Sequence, residues 1–446
     1  MTEPDVGETA PSVDSTSSRD GAVARRRLFT DAYALMASTG LNALAGVVTY
    51  LLSARLFPDQ VVGAAAGMTA AMLLISGIGQ LDLTNALHRY LPTAASRAKR
   101  VILGSYGAAA LASLVLAAGY VLVFGSLIKT ETEGAIIWFT AAVVIWTLFN
   151  LQDQVFFGLG AAWAVPVDNT IHGLARIGLL LLAVGGGSFA IFATWVVPAA
   201  VLIVAGSVLI WFKLLPDYLK RNRKRQSDYS LGSYSRFAAG GYIGGISALV
   251  LGNLLPLLVV AHLGVAANAY FYMAWTVAST VDLLVFNFGA SLVVQGATNA
   301  EHIPYLIKSA LKKQAALFIA PLILLAALSY VVLDLAFGRN YADAAWLMLT
   351  LLAVGLIPRL LWGVYLPAVR LAGNVKAIVI SQTLTNVSVL AASIAGLYLG
   401  GLTGIGIGYL IAQVVIAAVC GPKLRAMLKN GFSVKRIDDV SVTGHM

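Results

Sequence analysis

Apolar runs of about twenty residues alternate with short polar interruptions from residue 32 to residue 422. A helix needs roughly 20 residues, at 1.5 Å per residue, to cross a hydrocarbon core of about 30 Å. Lipid offers no water to backbone amides, so runs of this length read as helices that satisfy their own hydrogen bonds. The polar–apolar alternation of a transmembrane barrel is missing. The pattern predicts twelve spans, at about 32–53, 61–82, 101–125, 134–157, 166–186, 190–212, 237–262, 268–294, 312–335, 342–367, 375–398 and 402–422. The expected fold class is therefore an all-α polytopic membrane protein.

The interruptions carry the topology. The longest one between the first span and the C-terminal tail, 213–236, holds Lys213, Lys220, Arg221, Arg223, Lys224, Arg225 and Arg236 against Asp217 and Asp228. With the N-terminus on the cytoplasmic side, 25 of the 30 Lys and Arg residues fall in inner segments. Three lie in outer loops (Arg55, Lys129, Arg339) and two inside spans (Arg176, Arg359). Positive residues concentrate on the cytoplasmic side, and one missed span would invert every later loop, so this division supports twelve spans with both termini inside. It also accounts for the net charge of +10 without nucleic acid. The domains expected are a disordered cytoplasmic tail at 1–27, an N-lobe at 28–212, the basic linker at 213–236, a C-lobe at 237–422 and a cytoplasmic tail at 423–446. Two six-span halves of equal orientation imply a parallel repeat about the membrane normal. Ala54-Arg-Leu and Ala261-His-Leu, 207 residues apart, sit at matching points of the two halves.

Composition agrees. Residues are 59% hydrophobic and 11% charged, with a mean hydropathy of +0.83. A soluble domain has about a quarter of its residues charged. The single cysteine, Cys420, excludes an internal disulfide and a cysteine-cluster metal site. No glycine cluster ends in the Lys-Ser/Thr of a phosphate loop, and no polar segment is long enough for a catalytic domain. An enzyme is not expected, and no cofactor is implied.

Ionisable groups inside a span cost several kcal/mol unless paired or wetted, so each is a candidate for function. The candidates here are Asp31, Asp82, Asp153, Asp168, His172, Arg176, Asp282 and Arg359. Asp168, His172 and Arg176 lie at i, i+4 and i+8 and share one face of the fifth span. Arg176 either neutralises an acid or holds an anion, and arginine suits phosphate because its planar fork bonds bidentately and stays charged when desolvated. Arg359 follows Pro358, which interrupts the helix ladder of the tenth span. Its alternatives are a cavity-lining role and an ion pair with Asp282. Asp82, Asn85 and Arg89 are expected on one face at the inner end of span two, with Arg89 either an interface anchor or at the mouth of a cavity. Asp168 with His172, Asp282, Asp82 and Asp31 are the candidates for taking a proton or a cation.

The stretch from Arg27 to Pro92 resembles the opening of the polysaccharide-biosynthesis flippases of the multidrug/oligosaccharidyl-lipid/polysaccharide (MOP) superfamily. The marks are an entering Arg27-Leu-Phe, a small-residue first span, the Arg55-Leu-Phe turn, a glycine-rich second span, and an exit running from Asp82 to Arg89-Tyr-Leu-Pro. The resemblance extends over about 25–430. It implies MATE-like architecture, two six-helix bundles around a central cavity. It further implies movement of a lipid-linked saccharide, on a polyprenyl pyrophosphate, from the inner to the outer leaflet of the plasma membrane. The precursor would feed exopolysaccharide or lipopolysaccharide synthesis, with anionic membrane lipids and other polysaccharide-assembly proteins as partners. Arg176 and Arg359, with Arg89, are the residue types the resemblance assigns to the phosphates, and Na⁺ or H⁺ to coupling. Two rival readings stay open: a Na⁺- or H⁺-coupled multidrug exporter of the same superfamily, and a non-transporting scaffold of an envelope-assembly machine.

Overall fold

The computed structural model describes residues 44–124, 134–223, 231–298, 303–372 and 375–429. Among them the chain is helical throughout. The helices are α1 (Leu44–Leu56), α2 (Asp59–Gly79), α3 (Leu83–Tyr90), α4 (Ala98–Phe124), α5 (Ala135–Gly158), α6 (Ala164–Leu182) and α7 (Ser188–Leu209). A π-helical turn, Ile210–Leu214, then leads into α8 (Leu215–Arg221). The second half comprises α9 (Leu231–Leu263), α10 (Val265–Thr298), α11 (Ile303–Ala327), α12 (Ser329–Phe337), α13 (Arg339–Leu371) and α14 (Val375–Lys429).

Nine stretches among the described residues are long and apolar enough to cross a membrane. One of them, α14, is two helices bent at Gly400 and Gly401. Gly401 takes a left-handed φ of +59°, which a side chain would strain. The two arms then pack so closely that a Cβ on Gly396 would lie 1.9 Å from the Gly404 carbonyl oxygen. Two further expected spans coincide with α6, which carries the Asp168–His172–Arg176 face, and with the short apolar α1. The first part of span one, with Asp31, lies outside the described residues, as do most of the two tails and 224–230 of the basic linker.

Leu122, Leu182, Phe212 and Leu399 are each more than four-fifths exposed. Large apolar side chains left bare on many helices are a liability in water and the expected surface against hydrocarbon.

One end of the bundle is closed by contacts between the two halves. Arg55, at the end of α1, donates to the backbone oxygens of Asp334, Leu335 and Ala336 at the C-terminus of α12. That helix end carries partial negative charge and unmade carbonyl bonds, so a guanidinium suits it. Asp59, opening α2, accepts from Tyr270 Oη at 2.7 Å and Asn340 Nδ2 at 3.1 Å. Asn268 Nδ2 donates to the Gly63 carbonyl at 2.8 Å. At the opposite, basic end the polar contacts run mainly within the first half. Tyr218 of α8 accepts from the Ala95 amide and donates to the Leu91 and Pro92 carbonyls, and Arg221 donates to the Leu159 carbonyl.

The expected place of Asp82, Asn85 and Arg89 at the inner end of span two is corrected by the backbone. α2 stops at Gly79, and Leu81 and Asp82 take left-handed φ values of 52° and 56°. Asp82 therefore precedes a new helix, α3, and Asn85 Nδ2 donates back to its Oδ1 at 2.6 Å. Aspartate tolerates this conformation far better than leucine, which makes Leu81 a strained point at the turn. Arg89 is exposed on α3, its guanidinium 5.5 Å from the centre of the Tyr90 ring.

Candidate functional site

The site is built where α10 and α13 approach most closely. A Cβ on Gly289 of α10 would lie 2.4 Å from the Gly363 carbonyl oxygen of α13, so the missing side chain lets the two backbones meet. About two turns away, Arg359 grips Asp282 through both guanidinium arms. Nε donates to Oδ1, and Nη2 donates to Oδ2 at 2.8 Å. Both residues lie near the middle of long helices, and Pro358 beside Arg359 removes one helix hydrogen bond there.

This pair is not sealed into the core. The Arg359 and Asp282 side chains remain 20% and 28% exposed. Two cavities meet at them: one of about 190 Å³ reaching toward the basic end, and one of about 50 Å³ lined by Trp275, Tyr409 and Gln413. The larger is lined by Asp282, Val285 and Phe286 of α10, by Gln382 and Asn386 of α14, and by Arg359, Trp362, Gly363, Leu366, Pro367 and Arg370 of α13. Asn386 Nδ2 also donates to Ser247 Oγ on α9 at 3.2 Å. The lining of the larger cavity thus carries two guanidinium groups and one carboxylate.

Arg370 is the residue that sequence reasoning missed, because its place beside the last turns of a span assigned it to the basic inner loop. The signal was present in the spacing. Arg359, Gly363, Leu366 and Arg370 recur at i, i+4, i+7 and i+11, one face of a helix.

Arg176 sits elsewhere. It lies in α6, 2% exposed, with Nε donating to Thr49 Oγ1 at 3.0 Å and its guanidinium 4.2 Å from the centre of the Trp195 ring. Its Nη2 is buried with no hydrogen-bond partner among the described residues. Beside it Tyr50 and Tyr272 join α1 to α10 through their hydroxyls at 3.1 Å. Thr49, Trp195 and Tyr272 each lie about seven residues, roughly 10 Å at 1.5 Å per residue, from the helix ends at the closed end of the bundle. Arg176 is therefore behind the closure that Arg55 and Asp59 make, in the half of the molecule away from the Arg359 cavity.

The rest of the α6 face is also buried. His172 bonds the Trp195 carbonyl through Nε2 at 3.0 Å and packs against Trp146 and Phe149. Asp168 is 8% exposed, and its Oδ2 has no partner among the described residues. Asp153 of α5 accepts from Asn169 Nδ2 at 3.2 Å through Oδ2, while its Oδ1 is buried and unpartnered. Asp82, outside the spans, has its carboxyl pushed up from its ordinary value by burial, partly offset by the Asn85 hydrogen bond. No cluster of three or more metal-ligating side chains occurs among the described residues.

No protein-family model and no curated protein matches this sequence. Solved structures do match. One is the lipid II flippase MurJ in an inward closed conformation, with a TM-score of 0.66 at 12% identity over 87% of each chain. Another is an inward-facing multidrug resistance MATE family transporter of the MOP superfamily, with a TM-score of 0.66 at 15% identity over 87% of this chain and 95% of that one. An outward-facing transporter of that family matches with a TM-score of 0.53 at 14% identity over 89% and 94% of the two chains. At these identities the likeness is one of fold. The helices are arranged as in these transporters, which is the MATE-like fold that the opening residues led one to expect.

Proposed function

We propose that the protein is a flippase that moves a lipid-linked oligosaccharide or polysaccharide precursor from the inner to the outer leaflet of the plasma membrane by alternating access, with both termini cytoplasmic. The observation that carries this reading is a cavity that runs from the Arg359–Asp282 pair, near the middle of α10 and α13, toward Arg370 at the end of α13, so that its lining holds two arginines and one carboxylate. A polyprenyl pyrophosphate carries the complementary charge, and arginine holds it bidentately. The lipid chain stays in the bilayer while the polar head crosses inside the protein.

Asp282 acts as an internal stand-in for the substrate anion. When pyrophosphate takes Arg359, the released carboxylate accepts a proton or Na⁺, which couples the two. Arg176, behind the Tyr50–Tyr272 contact, is reached only when the Arg55 end opens, and there it forms the second phosphate station. Asp168 and His172 beside it serve the return step. Arg89 and Asp82 lie at the basic mouth and take part in entry. The closed Arg55 end and the cavity reaching toward the basic end support an inward state, as do the inward conformations of the two structures that superpose with a TM-score of 0.66.

Complementation of a strain lacking its own lipid-linked saccharide flippase tests this. The intact protein restores surface polysaccharide, and Arg359→Gln at matched expression does not. A second reading, a cation-coupled multidrug exporter, is favoured by the buried, unpartnered oxygens of Asp153 and Asp168. It takes precedence if the intact protein fails to complement yet lowers sensitivity to cationic drugs, and if Asp168→Asn abolishes that protection.

A further inference from the structure

A separate cleft of about 540 Å³ runs between α4 of the first half and the start of α9 in the second, within the 300–1,000 Å³ range of ligand pockets. Arg100, Gly104 and Ala108 recur every four residues along its α4 wall, so they share one face. Arg100 is exposed at the mouth, and Ala108 lies about 12 Å deeper at 1.5 Å per residue. The wall thus offers one fixed positive charge at the basic end of the bundle and then a slot of small residues. No acidic residue is among those lining it.

The polar groups inside the cleft are already engaged by the protein. Ser105 and Tyr234 bond each other at 2.7 Å, Tyr242 donates to the Ile78 carbonyl at 2.8 Å, and Ser235 donates to the Gly232 carbonyl at 3.2 Å. Little is left for sugar hydroxyls. The free recognition chemistry is a cation above an apolar slot, which matches a small phosphate head on a hydrocarbon chain.

We propose that this cleft holds an anionic phospholipid of the surrounding bilayer, its phosphate on Arg100 and one acyl chain against Gly104 and Ala108. Such a lipid touches both halves, so it favours the arrangement in which α4 and α9 stand this far apart. The test is native mass spectrometry of the full-length protein titrated with phosphatidylglycerol, phosphatidylcholine and polyprenyl phosphate. One phosphatidylglycerol is expected to bind in preference to phosphatidylcholine, and Arg100→Gln to weaken it about tenfold, the scale of one charge-assisted hydrogen bond. Gly104→Leu should do the same without unfolding the protein, because a Cβ at Gly104 meets nothing within 4 Å. Lys99→Gln, adjacent but outside the lining, should bind normally. Equal binding of phosphatidylcholine, or unchanged binding in Arg100→Gln or Gly104→Leu, overturns the assignment. So does displacement of phosphatidylglycerol by equimolar polyprenyl phosphate, which would make the cleft a carrier site. The readout needs no transport, so it stands or falls independently of the flippase reading.

Discussion

Asp282→Asn should move stability and substrate affinity in opposite directions. The carboxylate neutralises Arg359 through a bidentate contact in which the two side chains stay 28% and 20% exposed. Removing one member of a fully buried ion pair costs about 3–5 kcal/mol, because the survivor keeps an uncompensated charge. Cavity solvent reaches this pair, so the expected loss is nearer 2 kcal/mol, within the range of a hydrogen bond to a charged group. A melt in detergent, closed as a double-mutant cycle with Arg359→Gln, measures it. The double variant should regain part of the loss, since neither charge is then stranded. In the same preparation a polyprenyl pyrophosphate no longer has to displace Asp282, and its affinity should rise about tenfold, equivalent to about 1.4 kcal/mol of removed competition. Arg359→Gln should lower both stability and affinity. If Asp282→Asn instead weakens pyrophosphate-lipid binding, the carboxylate is not a stand-in for the substrate anion and the reasoning fails. If it weakens only cationic-drug binding, the exporter reading gains.

Arg370→Gln should reduce polyprenyl pyrophosphate affinity about tenfold with little change in melting, because it lines the same cavity without partnering Asp282; equal affinity would remove it from the site. Arg176→Met should leave lipid binding to the inward state intact but abolish complementation, and loss of binding would place Arg176 in the inward cavity after all. Asp59→Asn weakens its bonds to Tyr270 and Asn340, each worth about 1 kcal/mol. A cysteine at the buried Ser53, in a Cys420→Ala background, should then react several-fold faster with a membrane-impermeant maleimide, and unchanged labelling would show that these contacts do not hold the end closed. The raised Asp82 carboxyl means that its charged form is disfavoured by folding, so stability is lost as pH rises through the folded value and is recovered on acidification. Asp82→Asn, which also suits a left-handed φ, should therefore melt higher than the parent at neutral pH, with the gap closing as pH falls toward the ordinary carboxylate range.

The sequence by itself determined where the long apolar helices lie and roughly where they end, but not the short helices α3, α8 and α12. A run of apolar residues in lipid has one way to satisfy its backbone, so composition and length suffice to predict a span, and the bend at Gly400–Gly401 falls between the two predicted final helices. The all-helical membrane fold was legible as well, in the length of the apolar runs and in the marks between Arg27 and Pro92. The turn at Leu81 and Asp82 was not, because a left-handed φ at a leucine is not what its side chain favours and only the packed backbone imposes it.

Only the tertiary structure decided which polar groups meet. Arg176 and Arg359 look alike in sequence, each a lone arginine inside a span. Packing put one against Thr49 and Trp195 behind a closed end and gave the other a carboxylate from a helix 77 residues away. Arg370 was counted as a loop charge until α10 and α14 closed around its face of α13. Helix formation in a membrane is a local matter of backbone hydrogen bonds. The charge of a cavity is set by contacts between helices far apart in the chain, and those follow from the close approaches that residues such as Gly289 permit.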